Sequence, residues 1–257
     1  MLRHWLTTSS GSSGRVERSL SVGMYEGKNV IVTGSSRGIG ALLTRHFLDE
    51  GATVVGIARG PANCEHQRYL HHQADLAVPA EIQQLFVGLR KTVQTIDIVI
   101  NSAAVLTSQY ALIMPAAAAQ SMLNLNLLAP FLVAREAAKL MRKAKSGRII
   151  NISSMAVSLE PEGDSVYAAC KAGLTTLSNI LAKEFAAFNV TCNTLGITAI
   201  ETDMLKQLPH DKIDAVVARL PIPRYATADD IVNVIDFYAS ERSGYITAQT
   251  IYLGGVH

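Results

Sequence analysis

Cysteine is scarce in this chain. Cys64, Cys170 and Cys192 are the only three in 257 residues, and they show none of the short paired intervals of zinc sites or disulfide frameworks. They read as reduced, mostly buried thiols of a reducing compartment, the cytoplasm, and no metal-ligand set is expected. Charge is also thin, at 17% of residues with a formal net charge of +2. The cations are scattered, which excludes the concentrated basic footprint of a nucleic-acid binder. Long apolar runs are missing too. No stretch reaches the roughly 18 uninterrupted apolar residues that mark a bilayer crossing; the richest, Met122 to Ala134, is broken by Asn124, Asn126 and Pro130. No membrane partner is expected.

What is present is a globular balance, 49% hydrophobic, in a length that suits one α/β domain better than two small ones. The first 23 residues stand apart, with a Ser/Gly/Thr run from Thr7 to Gly14 and with Arg3, Arg15 and Arg18 against one acid, Glu17. Residues 1–23 are expected to be a disordered extension, a leader or tag before a start at Met24, or an Arg- and Ser-rich transit peptide for organellar import. They lack the apolar core of a secretory signal. The folded domain is expected over 24–257.

From Lys28 short β-branched runs alternate with helix-length segments. Strands are expected at Asn29 to Thr33, Thr53 to Ile57, Ile96 to Asn101, Arg148 to Ser153 and Val190 to Leu195, with weaker signals at Tyr69 to Ala74 and Gln249 to Leu253. Helices are expected at Ile39 to Glu50, Ala80 to Val93, Gln120 to Lys143, Val166 to Phe188 and Ala228 to Ser240. This alternation implies a three-layer, Rossmann-like α/β domain with a doubly wound parallel sheet. The proline-rich segment from Glu201 to Pro223, with Met204, Leu205 and Leu208, is expected to form a lid over the strand ends, suited to an apolar substrate body.

Thr33-Gly34-Ser35-Ser36-Arg37-Gly38-Ile39-Gly40 follows the first strand and opens the first helix, where a phosphate loop belongs. Glycines there permit a tight turn and close approach of backbone to phosphate. The second strand ends in Ile57-Ala58-Arg59 and lacks the acid that would bond a ribose 2′-hydroxyl. Arg59 with Arg37 is expected to cup a 2′-phosphate, so NADP(H) is favoured over NAD(H) as cofactor. Tyr167 and Lys171, four apart on a helix, share one face. A neighbouring ammonium favours the phenolate, so Lys171 is expected to lower the Tyr167 pKa from its ordinary value.

Across Met24 to Gly255 these motifs resemble those of the short-chain dehydrogenase/reductase family. Thr33 to Gly40 matches its cofactor loop and Asn101-Ser102-Ala103-Ala104 its element after the fourth strand. Asn126 matches its central asparagine, Ser154 stands 13 residues before Tyr167, and Tyr167 to Lys171 matches YxxxK. The resemblance implies that Tyr167 is the general acid/base, that Ser154 donates to the substrate oxygen, that Lys171 holds the ribose, and that Asn126 positions a relay water. It also implies cofactor contacts from Gly34, Ser36, Arg37, Gly38, Ile39, Gly40, Arg59, Asp75, Leu76, Asn101, Ala103 and Thr202.

Among its branches the chain looks most like the 3-oxoacyl-acyl-carrier-protein reductases. The resemblance therefore implies hydride transfer to a ketone or 3-oxoacyl group, with a small-molecule or acyl-thioester substrate, in a homo-oligomer, tetramer or dimer. An alcohol dehydrogenase and a nonenzymatic NADP-binding regulator are the rival readings. The chain departs from the family at Ile197-Thr198, where a Pro-Gly step is usual, and an altered wall beside the nicotinamide is expected, with Gly196 taking up part of the turn. Ala226, Ala228 and Ala248 stand where relatives often carry Gly or Pro.

Overall fold

A computed structural model describes residues 23–207 and 210–256. The expected leader, but for Gly23, and Leu208 of the expected lid lie outside these residues. Seven parallel strands form one sheet: β1 Asn29–Thr33, β2 Thr53–Ala58, β3 Tyr69–Gln73, β4 Ile98–Asn101, β5 Gly147–Ser154, β6 Val190–Ile197 and β7 Thr250–Tyr252. Their order is β3-β2-β1-β4-β5-β6-β7. The chain winds outward in one direction from β1 to β3, then returns to β4 on the other side. That reversal leaves a crevice at the carboxyl ends of β1 and β4, the place where open α/β sheets bind ligands.

Strand residues are apolar on both sides because helices cover both faces. In β1, Val30 and Val32 face the helices α1 (Gly38–Asp49) and α8 (Ala228–Ala239), packing with Leu43, Phe47, Ile231 and Ile235. Ile31 faces the other way, toward α2 (Pro79–Thr92), α4 (Ala129–Ala144) and α6 (Ser165–Phe185), with Phe86, Val133 and Leu181. Each such fully buried side chain stabilises the fold by roughly 1.5–3 kcal/mol.

The single helix expected from Gln120 to Lys143 is three pieces: α3 Ala116–Leu123, a π-helical turn Asn124–Leu128, and α4. Pro130 is the reason. It has no N–H to give the Asn126 carbonyl four residues back, and its ring would clash with that oxygen, so the backbone widens there. The run from Ala116 to Ala144 is long and apolar enough to cross a membrane. Here α4 spends that apolarity on α2 and the sheet, through Val133, Ala137 and Met141.

The expected lid contains a 3-10 turn, Leu205–Gln207, and a helix, α7 His210–Val217. Ile213 and Val217 are buried with Ala199, against Met155, Leu205 and Tyr225. The Tyr225 hydroxyl donates to Asp214 at 2.6 Å, fastening the helix to the chain that follows it.

Candidate active site

The glycine loop occupies the turn from β1 into α1. Gly34 has φ +71° and sits against Ala103, while Gly38 has φ +53°. A Cβ on Gly40 would collide with the Gly34 carbonyl. Arg37 is the N-cap residue of α1, but no side chain caps the helix and its first turn holds no acid. The free N–H groups and the positive end of the helix dipole are thus left facing outward, an arrangement suited to phosphate. Ser36 and Ile39 are half-buried in the same turn. The guanidinium groups of Arg37 and Arg59 are exposed and make no hydrogen bond or ion pair among the described residues.

The Thr33 hydroxyl, at the end of β1, accepts from the amides of Ser102 and Ala103, each at 3.0 Å. This pins the loop after β4 to the glycine loop, a function that the sequence reading missed; a hydroxyl at the last residue of the strand was its only signal. Asn101 is buried, donates to Asn151 at 2.8 Å, and leaves its own carbonyl oxygen without a partner. Leu76 is buried after β3. The Asp75 carboxylate accepts from the Ala77 amide at 2.9 Å, shaping the entry to α2. Thr202 rests its methyl near Gly38, and its hydroxyl accepts from the Leu205 amide at 3.3 Å. The segment after β6 therefore reaches back to the cofactor loop.

Ser154 ends β5, and Tyr167 and Lys171 lie on the inner face of α6. Alternation separates the two serines as expected. Ser153 is buried and donates to the Lys171 carbonyl at 3.3 Å, whereas Ser154 is half-buried and its hydroxyl accepts from the Ala156 amide at 3.2 Å. The Lys171 ammonium, itself buried, donates to the Ile152 carbonyl at 2.7 Å and lies 5.8 Å from the centre of the Tyr167 ring. Burial lowers its pKa to about 8.

Tyr167 departs from expectation. Burial pushes its pKa up to about 12, against the opposing influence of the Ser154 hydroxyl, and the nearby Asp164 and Cys170 add to the rise. Burial of the phenol outweighs the lowering expected from Lys171, whose ammonium donates to Ile152. Asp164, missed in the sequence, is buried three residues before Tyr167, with one carboxylate oxygen unpartnered.

Asn126 is completely buried in the π turn. Its amide is engaged with Val105, accepting from that residue's N–H at 2.9 Å and donating to its carbonyl at 2.8 Å. The side chain thus braces the loop after β4.

Ile197 closes β6, paired with Ser154, and neither Ile197 nor Thr198 takes a positive φ, so the feared backbone strain is not incurred. The expectation for Gly196 is also corrected. It is a strand residue, glycine because a Cβ would strike the ring of Tyr252 on β7, and it makes no turn.

A parallel sheet carrying a glycine turn at the N-terminus of an uncapped helix, beside a half-buried serine and a buried tyrosine and lysine, defines a class, the α/β oxidoreductases that work with a bound dinucleotide. Residues 28–213 match the short chain dehydrogenase family, to which this chain belongs. Its members bind a nicotinamide cofactor and act on CH–OH and C=O groups. The chain is 31% identical to the 3-oxoacyl-acyl-carrier-protein reductases of Salmonella typhimurium and of Escherichia coli K12, over 90% of its own length and 97% of theirs. Among solved structures, a putative gluconate dehydrogenase from Agrobacterium tumefaciens is 27% identical with a TM-score of 0.81, covering 90% of this chain and 95% of that one. A 4-hydroxyisoleucine dehydrogenase in complex with NADH superimposes with a TM-score of 0.84 at 24% identity, covering 89% and 97%, a likeness of fold.

Proposed function

We propose that this protein is an NADP(H)-dependent reductase of ketones or 3-oxoacyl groups. The observation that carries the reading is the convergence of Ser154 at the end of β5 and Tyr167 on α6, with Lys171 one helical turn away, beside an uncapped α1 that offers its N–H groups to phosphates. When bound, the cofactor supplies the hydride. Tyr167, kept protonated by burial, gives its proton to the oxygen that gains negative charge, and Ser154 holds that oxygen in line. Lys171 reaches the ribose hydroxyls. The Asn126 carbonyl, denied an N–H by Pro130, holds the water that restores the Tyr167 proton, while the Asn126 side chain keeps Val105 in place.

Gly34, Ser36, Gly38, Ile39 and Gly40 carry the pyrophosphate, Arg37 and Arg59 the 2′-phosphate, Asp75 and Leu76 the adenine side, Asn101 and Ala103 the wall, and Thr202 the nicotinamide amide. The absence of an acid after β2 supports NADP(H) over NAD(H). The similarity to 3-oxoacyl-acyl-carrier-protein reductases supports an acyl-thioester substrate. The resemblance to a putative gluconate dehydrogenase favours a second reading, oxidation of a secondary alcohol by the same groups.

The protein works as a homo-oligomer in the cytoplasm, with 24–257 as its folded unit. The exposed apolar side chains Leu123 and Leu128 before α4 and Ile180 on α6 support the assembly, and three free thiols support the compartment. The test is NADPH oxidation with a panel of 3-oxoacyl thioesters and ketones. Turnover is expected, with Tyr167→Phe losing about 10²-fold or more, in line with removal of a general acid. NADPH binding without turnover on any of the panel, or Tyr167→Phe with full activity, overturns the proposal.

A further inference from the structure

The sheet edge opposite the catalytic residues carries a polar chain that the catalytic site does not use. Tyr69, His71 and Gln73 alternate along β3, so all three point to the same side of the sheet. Their register partners on β2 are Val54, Gly56 and Ala58. Gly56 has no room for a side chain because the Tyr69 ring lies over it, and the same ring brings its hydroxyl to 3.0 Å from Ser35 Oγ, inside the glycine loop. The Tyr69 hydroxyl is also 3.1 Å from His71 Nδ1, and His71 Nε2 is 2.9 Å from the Gly60 carbonyl. Gln73 Nε2 donates to the carbonyl of the preceding residue, Arg59, at 2.8 Å.

A carbonyl only accepts, so His71 donates from Nε2 to Gly60, and the Tyr69 hydroxyl stands within hydrogen-bond distance of both His71 Nδ1 and Ser35 Oγ. The phosphate loop that contains Arg37 is thereby joined, through Ser35, Tyr69 and His71, to the turn that contains Arg59. The free Arg59 side chain swings from a backbone whose two consecutive carbonyls are held from β3.

We propose that Tyr69, His71 and Gln73 are positioning residues for cofactor discrimination. They fix the Arg59–Gly60 backbone relative to the phosphate loop, so that Arg37 and Arg59 present their guanidinium groups to a 2′-phosphate at a set separation. None of the three touches the cofactor. The inference rests on the reading of Arg37 and Arg59 as the 2′-phosphate cup.

The experiment is calorimetric titration of the full chain with two fragments, 2′,5′-ADP and 5′-AMP, which differ by the 2′-phosphate alone. Wild type is compared with Tyr69→Phe, which keeps the ring over Gly56, and with Gln73→Leu, at an exposed position where the fold tolerates change. Wild type is expected to prefer 2′,5′-ADP. Each variant is expected to lose about fivefold in affinity for 2′,5′-ADP, the worth of one hydrogen bond, with 5′-AMP binding held within about twofold. Equal wild-type affinities for the two fragments overturn the NADP(H) reading and the inference with it. A wild-type preference that survives intact in both variants overturns the inference alone. So does a parallel loss of both fragments, which marks a packing role only.

Discussion

Lys171 Nζ donates to the main-chain carbonyl of Ile152 across 2.7 Å, a cation held inside the protein by a neutral partner. Its pKa of about 8 reflects the cost of burying that charge. Between pH 8 and the ordinary lysine value of 10.5 the unfolded chain binds a proton that the folded chain has released, so wild-type stability gains with pH across that interval. Lys171→Met removes the buried charge. It is expected to raise the melting temperature at pH 7, with the gap over wild type narrowing as the pH climbs toward 10, while turnover is lost. Thermal melts at a series of pH values check this; a variant less stable than wild type at pH 7 contradicts it.

Asn126→Ala breaks both hydrogen bonds to Val105 and leaves a buried N–H and a buried carbonyl without partners. A loss on the order of 2–4 kcal/mol is expected from chemical denaturation, together with lower kcat because the loop after β4 loses its brace. A stability change under about 1 kcal/mol would show that water replaces the amide.

Two alanines noted as departures from the family pattern make opposite demands. Ala248 sits at φ +57°, a conformation that costs a residue with a Cβ about 1 kcal/mol. Ala248→Gly is therefore expected to stabilise by roughly that amount despite the entropy of glycine. Ala228 is the first residue of α8, after an extended Thr227 with ψ 170°. Its N–H has no helical partner to lose, so Ala228→Pro is expected to add about 0.5–1 kcal/mol. Urea melts of the two single variants decide both cases.

His46 on α1 meets Asp236 on α8 at 2.8 Å, and Tyr25 donates to the same carboxylate oxygen at 2.6 Å. Burial alone would lower the histidine pKa, but the hydrogen bond and charge of Asp236, with Glu50 and Asp49 nearby, raise it overall. The stabilisation is complete below the unfolded value near 6.5 and is lost as pH rises through the folded one. Wild-type stability is expected to fall from pH 6 toward pH 8 relative to His46→Gln. Parallel pH profiles for the two proteins would remove this pair from the account.

The strands were legible because a compact apolar run of four to eight residues bounded by Gly or polar residues has few other uses, and even the polar β3 was found. The π turn was not, because Asn124 to Leu128 reads as helix by pattern, and only the missing N–H of Pro130 separates the two backbones. At the site, strand alternation and the family-like 13-residue spacing to Tyr167 favoured Ser154 over Ser153, and the structure does set the two serines apart, Ser153 buried and Ser154 half-buried. Spacing could not reveal the Tyr167 pKa, which depends on how completely α6 and Ser154 enclose the phenol. Nor could it show that the Asn126 amide is committed to Val105, because Val105 is 21 residues away in sequence. The Ile197-Thr198 departure was visible, but not that Ile197 would close β6 and that neither residue would take a positive φ.

The short β7 leaves one edge of the sheet lightly held. It pairs with β6 through Thr194, Leu195 and Gly196 only. Wherever β7 is undocked, that flank of β6 has open hydrogen-bonding groups and an uncovered groove above Gly196, which the Tyr252 ring otherwise fills. A partly folded chain in that condition is an acceptor for any stray extended segment.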